Sequence, residues 1–176
     1  MRHHLNQYSD GDFLVYTDWD RIDFFELGTL HAVVETLAKR GDNLCIEVIG
    51  NAAEFLFTKE DVLFAFNATK TMRDSPQVLA NALVIRNSPK MKLFIDSWVD
   101  FVADWHMLTD EPSVLPNEPR YIDHRHDQSI VSLLIKSFMT KEAVVGPPAR
   151  AYHKFSELLT YKFKEGADPT CPFSRF

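Results

Sequence analysis

The chain has 176 residues, of which 45% are hydrophobic and 25% charged, with a formal net charge of −6. That is enough apolar material for a single globular domain over 1–176 and too little chain for two. The acidic balance argues against nucleic acid or an anionic membrane as the main partner, while phosphates remain within reach through a metal ion.

Cys45 and Cys171 supply neither a disulfide framework nor metal-ligand spacing, so reduced thiols are expected. No apolar run approaches bilayer length, and the start MRHHLNQYSDGD lacks the apolar core of a signal peptide. The expectation is a soluble, cytoplasmic protein without a membrane span.

In chain order, the first element is DFLVYTDWD, residues 12 to 20. Phe13, Leu14, Val15 and Tyr16 follow a turn at Asp10-Gly11-Asp12 and read as a buried strand. Asp18 and Asp20 stand at its carboxyl end, where loops of an open α/β sheet carry polar groups over a rigid floor. Carboxylates at i and i+2 point the same way off a strand and form a hard oxygen site suited to Mg²⁺ or Mn²⁺. The bland alternative is that one of them caps the following helix.

Ile22, Phe24, Phe25, Leu27, Leu30, Val33, Val34 and Leu37 give a helix with a broad apolar face, stopped by Gly41-Asp42. Leu44 to Ile49 is a second strand, ended by Gly50-Asn51. Thr58 reads as the N-cap of a short helix through Phe66, with Asp61 three residues on. Residues 67 to 77 read as irregular. Val78 to Arg86 is the third and least polar strand, and Ser88-Pro89 opens a helix of about five turns through Trp105. Its aromatic stripe, Phe94, Trp98, Phe101 and Trp105, reads as core.

Residues 108 to 123, with Pro112, Pro116 and Pro119, form a long loop of the functional or mobile kind. DHRHDQSIVSLLIKSF, residues 123 to 138, then reads as a buried helix continued by Ile130, Val131, Leu133, Leu134 and Ile135, and its first turn is crowded with His124, Arg125, His126, Asp127 and Gln128. A helix N-terminus favours anions. One carboxylate beside two imidazoles is a usable base or clamp, with an Asp127 cap as the alternative. Gly146-Pro147-Pro148 breaks the chain, Tyr152 to Phe163 reads as a last amphipathic helix, and the tail as extended.

Taken together, the strand with Asp18 and Asp20, TKEDVLFAF (58 to 66), QVLANALVIRNSPKMKLFIDSW (77 to 98) and DHRHDQSIVSLL (123 to 134) resemble the nucleotide-diphospho-sugar transferases of GT-A fold, in particular a microbial and viral glycan-building group. The resemblance runs from about residue 10 to about residue 140. It implies an α/β fold with a GT-A-like (Rossmann-like) mixed sheet flanked by helices. The implied activity is metal-dependent transfer of a sugar from a nucleotide-diphosphate donor to a glycan or other hydroxyl acceptor.

It also implies that Asp18 and Asp20 form the DxD metal site with Mn²⁺ or Mg²⁺, with His153 as the late histidine that adds a ligand. Asp127 is then the candidate catalytic residue, and His124, His126, Gln128, Gln77 and Trp19 are the candidate substrate contacts. Only eleven residues precede the first strand, whereas a βαβ unit takes about 30, so the expectation is a chain without the nucleotide-binding half that the resemblance implies. Two further expectations follow: the strand at 12–17 seeks parallel neighbours it lacks, and the chain self-associates or belongs to a longer protein. The alternatives are a non-catalytic remnant acting as a partner module, and a haloacid-dehalogenase-like phosphatase. The latter wants Thr or Val where Ile22 stands.

Overall fold

The computed structural model describes residues 1–18, 27–41, 44–138 and 143–148. Its elements, in chain order, are α1 (Arg2–Leu5), β1 (Phe13–Thr17), α2 (Leu27–Arg40), β2 (Leu44–Ala53), α3 (Glu54–Phe57), α4 (Glu60–Ala65), α5 (Lys70–Asp74), β3 (Pro76–Arg86), α6 (Pro89–Val102), α7 (Trp105–Leu108), α8 (His126–Phe138) and β4 (Ala143–Pro148). The architecture is mixed α/β, a small sheet with helices on both faces. The helix expected over Tyr152 to Phe163 lies outside the described residues, and β4 runs through Gly146-Pro147-Pro148, where a break was expected.

The sheet order is β1-β3-β2-β4. β3 is antiparallel to both β1 and β2, and β2 is parallel to β4. The first strand was expected to seek parallel neighbours absent from the chain; the neighbour it has is β3, antiparallel to it. Among the described residues β1 lies at the sheet edge, and its partner β3 runs the other way. The reason is topological: β1 and β2 are parallel to each other, as a crossover through α2 requires, but β3 inserts between them and makes both contacts antiparallel.

Alternation along the strands then assigns the faces. Leu14 and Tyr16 stand opposite Ile85 and Leu83, on the face that packs against Phe94, Ile95 and Trp98 of α6 and Ile130, Val131, Leu133, Leu134 and Ile135 of α8. Phe13, Val15 and Val84 occupy the other face, beneath Val33 and Leu37 of α2. β3 is therefore apolar on both sides.

Local signals set most boundaries. Gly41, at φ 71, ends α2 in the left-handed region that glycine adopts freely. Ser88 caps α6 by accepting from the Met91 N–H, with proline at the first position. α6 stops at Val102, before Trp105, because Asp104 starts a separate turn by accepting from the His106 and Met107 N–H groups. At Gly50-Asn51 the chain does not turn: β2 continues to Ala53 across register shifts. Asn87 fastens the amino-terminal segment, its Nδ2 donating to the carbonyls of Leu5 (3.0 Å), Tyr8 (2.8 Å) and Ser9 (3.0 Å).

The segment TKED, residues 58–61, does more than open a helix. Thr58 is not the cap: α4 has Lys59 before it, with no side-chain cap bond, and Thr58 Oγ1 donates to Glu54 Oε1 at 2.7 Å. Lys59 is buried, and its Nζ donates to the carbonyls of His106, Thr109 (3.0 Å) and Glu111 (3.2 Å). The Glu60 N–H donates to Asn117 Oδ1 at 2.7 Å.

Asp61 accepts from the Val114 and Leu115 N–H groups at 2.7 and 2.9 Å and from His106 Nε2 at 2.7 Å. Burial pushes its carboxyl up, but these bonds outweigh it and hold the pKa at about 2. The Ile122 and Arg125 N–H groups donate to Leu56 and Phe57 carbonyls at 2.8 and 3.1 Å. The proline-rich loop is thus tied to α3 and α4 along its length, and it delivers the chain to the start of α8 at a fixed place.

Candidate functional site

Asp18 extends β1 by one step. Its N–H donates to the Asn81 carbonyl at 2.9 Å, and the register Thr17↔Ala82 sets Asp18 opposite Asn81, with both side chains on the Tyr16 face. Tyr16 Oη donates to Asp18 Oδ1 at 3.0 Å, and the Tyr16 ring meets Trp98 edge-on with centroids 6.5 Å apart. The Tyr16 hydroxyl is pushed up to about 12, first by burial, then by its bond to Asp18 and by the charges of Asp18 and Asp127. It is a hydrogen-bond donor throughout the physiological range.

Asp127 comes from the opposite element. It lies inside the first turn of α8, where the Gln128 N–H bonds its carboxylate. His126 immediately before it has φ 47. That left-handed conformation is uncommon outside glycine, asparagine, aspartate and histidine, and it turns the loop into the helix. The Asp127 carboxyl titrates above its usual range, chiefly through desolvation by the surrounding protein, although the residue as a whole is exposed. The charge of Asp18 adds to the shift, while the Gln128 N–H and His126 oppose it. Asp18 thus stands on the face of the sheet that α8 covers, and Asp127 opens that helix.

The remaining expected contacts are placed differently. Gln77 is fully buried, with its amide in a core network and away from solvent. Gln128 Nε2 donates to Gln77 Oε1 at 2.7 Å. His124 is buried, its Nε2 donating to the Met107 carbonyl at 2.9 Å. Burial lowers its pKa to about 4, so the ring is neutral at physiological pH, and its Nδ1 has no hydrogen-bond partner. His126 is exposed and lies 3.1 Å from Asp110. Trp19, Asp20 and His153 lie outside the described residues.

Among the described residues no group of three or more His, Cys, Asp or Glu side chains is placed to hold a metal ion. The donor chemistry nevertheless suits a hard divalent cation. Such ions need only one or two protein carboxylates when phosphates complete the set, and Asp18 supplies one at the end of β1.

Sequence reasoning missed Tyr16 as a partner of the candidate Asp18. The signal was present, because Tyr16 and Asp18 are two apart on a strand and so share a face. It also missed Asn81 and Trp98, whose buried Oδ1 and Nε1 have no hydrogen-bond partner. Both were read as strand and core.

Behind the site lies a buried ion pair. Glu54 and Lys136 are both buried, and Lys136 Nζ donates to Glu54 Oε2. Ser132 Oγ donates to the same oxygen at 2.5 Å, while Thr58 and Gln77 donate to Oε1 at 2.7 and 3.2 Å. Burial lowers the Lys136 pKa against the opposing pull of Glu54. No helix of the described residues is long and apolar enough to cross a membrane. The chain matches no family model, no curated protein and no solved structure.

Proposed function

We propose that the chain is, or forms part of, a divalent-metal-dependent glycosyltransferase of GT-A type acting on a nucleotide-diphosphate sugar and a hydroxyl acceptor. The observation that supports this reading is the placement of Asp18, held by Tyr16 Oη at the end of β1, on the face of the sheet covered by α8, whose first turn carries Asp127. Asp18, with Asp20, would hold the ion, and Tyr16 Oη orients Asp18 through Oδ1. When bound, Mn²⁺ or Mg²⁺ supplies neutralisation of the charge developing on the leaving diphosphate. Asp127 accepts the proton of the acceptor hydroxyl or holds that hydroxyl in line. A carboxyl with a raised pKa is better matched to that task near neutral pH than an ordinary one.

The test is calorimetry with Mn²⁺ and a panel of UDP- and GDP-sugars, together with product detection by mass spectrometry. Binding that requires Mn²⁺ and is lost in Asp18→Ala supports the reading, as does turnover lost in Asp127→Asn. Undiminished donor affinity in both variants would overturn it. The edge position of β1 and its antiparallel pairing favour a second reading, a non-catalytic partner module. Metal-dependent nucleotide-sugar binding without any turnover would select that one.

A further inference from the structure

A polar ladder runs down one side of α8. Gln128, Ser132 and Lys136 recur every fourth residue and therefore lie one above another, with Ser129 beside them. Each bonds to α3 or β3. Ser129 Oγ donates to the Phe57 carbonyl at 2.6 Å. Ser132 Oγ accepts from the Val78 N–H at 2.9 Å and donates to Glu54, and Lys136 pairs with Glu54. The other contacts of α8, made by Ile130, Val131, Leu133, Leu134 and Ile135, are apolar. Apolar packing is non-directional and accepts a helix rotated or shifted by a fraction of a turn. The ladder does not, because a displaced buried donor is left without a partner.

Gln77 is where the ladder meets the sheet. Its Nε2 lies 3.2 Å from Glu54 Oε1, 3.3 Å from Thr58 Oγ1 and 3.2 Å from Ser129 Oγ, while its Oε1 accepts from Gln128 Nε2 at 2.7 Å. Both ends of the amide are engaged, one by the fixed core and one by the first turn of the helix. Asp127 is the residue before Gln128, about 100° round the helix, so whatever fixes Gln128 fixes Asp127.

We propose that Gln77 is a positioning residue for Asp127: anchored by Glu54, it grips Gln128 and Ser129 and so sets the first turn of α8, to which Asp127 belongs. The inference rests on reading Asp18 and Asp127 as a substrate site. It gives Gln77 a role that acts through α8, with no contact to substrate, and it explains why an ion pair is retained in the core behind that site.

The test follows the titration of the Asp127 carboxyl by carbon-detected NMR in the full chain, in Gln77→Met and Gln128→Met. Ile135→Val, which loosens α8 on its apolar side, is the control. Gln77→Met and Gln128→Met are expected to lower the Asp127 pKa by about half a pH unit or more, a roughly threefold change in proton affinity, as the turn relaxes toward solvent. Ile135→Val is expected to lower the melting temperature and leave that titration in place.

An unchanged titration in Gln77→Met overturns the proposal, and so does an equal shift in Ile135→Val, since loosening alone would then suffice. Should Gln77→Met fail to fold, Gln128→Met, which severs only the link between the two glutamines, decides on the same criterion. Failure of the wild-type chain to bind UDP- or GDP-sugars with Mn²⁺ would defeat the glycosyltransferase reading while the titration still judges the positioning role.

Discussion

Replacing Lys136 by methionine probes how much of the fold depends on the buried pair. Glu54 accepts from four groups, Ser132 and Lys136 on one oxygen, Thr58 and Gln77 on the other. Lys136 is the one cation among them, and Lys136→Met leaves a carboxylate in the core with neutral donors alone. Breaking a buried pair in this way costs about 3–5 kcal/mol, a large share of the roughly 5–15 kcal/mol available to a domain. Glu54→Gln strands the ammonium and should cost a similar amount.

The double variant Glu54→Gln/Lys136→Met removes both charges and keeps the volume. It should lie within about 1–2 kcal/mol of the wild type, giving a coupling of several kcal/mol. Urea unfolding followed by circular dichroism measures all four corners of the cycle. A Lys136→Met cost below about 1 kcal/mol, or a double-variant cost equal to the sum of the singles, would refute the buried, coupled pair. A pH signature accompanies it. The folded pKa of Lys136 lies below the ordinary 10.5, so between the two values the unfolded chain binds more protons and stability rises with pH, a rise that Lys136→Met abolishes.

Asp127→Asn should raise the melting temperature at neutral pH. The raised carboxyl pKa makes ionisation a cost to the fold, absent below the ordinary 3.8 and complete above the raised value, so the gain should vanish near about pH 3; a gain independent of pH would contradict the shift. Tyr16→Phe removes a hydrogen bond to a carboxylate, worth about 1.5–3 kcal/mol at most, and should weaken Mn²⁺ binding without unfolding the chain; unchanged calorimetric affinity would show that Tyr16 does not orient Asp18.

The loop tie at Asp61 has a pH window. Asp61, held at about 2, stabilises above its ordinary 3.8 and loses the effect as pH falls toward 2. His106, raised chiefly by its hydrogen bond to Asp61 and then by Glu111, stabilises fully below 6.5 and loses the effect as pH rises through its raised value. Opening free energies from hydrogen exchange at the Val114 and Leu115 amides should therefore peak between these limits. In His106→Gln the alkaline decline should disappear and the acid one persist; persistence of both declines would show that another group titrates.

The amino-acid sequence by itself determined the principal elements. The apolar run Phe13 to Tyr16, the strand over Val78 to Arg86, the caps at Gly41 and Ser88-Pro89 and the buried helix through Ile130 to Ile135 are local patterns, and local geometry reads them directly. It also singled out Asp18 at the end of the first strand and Asp127 at the start of the buried helix as candidates, through motifs far apart in the chain. Strand order was decided only in three dimensions, because nothing in β1 or β2 states that β3 will come between them.

The fates of Gln77, Lys59 and Lys136 were decided there as well. Each is a polar residue that reads as surface or site, yet each is buried. What permits their burial lies 51 residues away for Gln77 and Gln128, 50 for Lys59 and Thr109, and 82 for Lys136 and Glu54. A buried charge or amide is tolerated only where partners converge on it, and convergence over such separations belongs to the assembled fold, while periodicity, caps and turn residues are encoded within a few neighbouring positions.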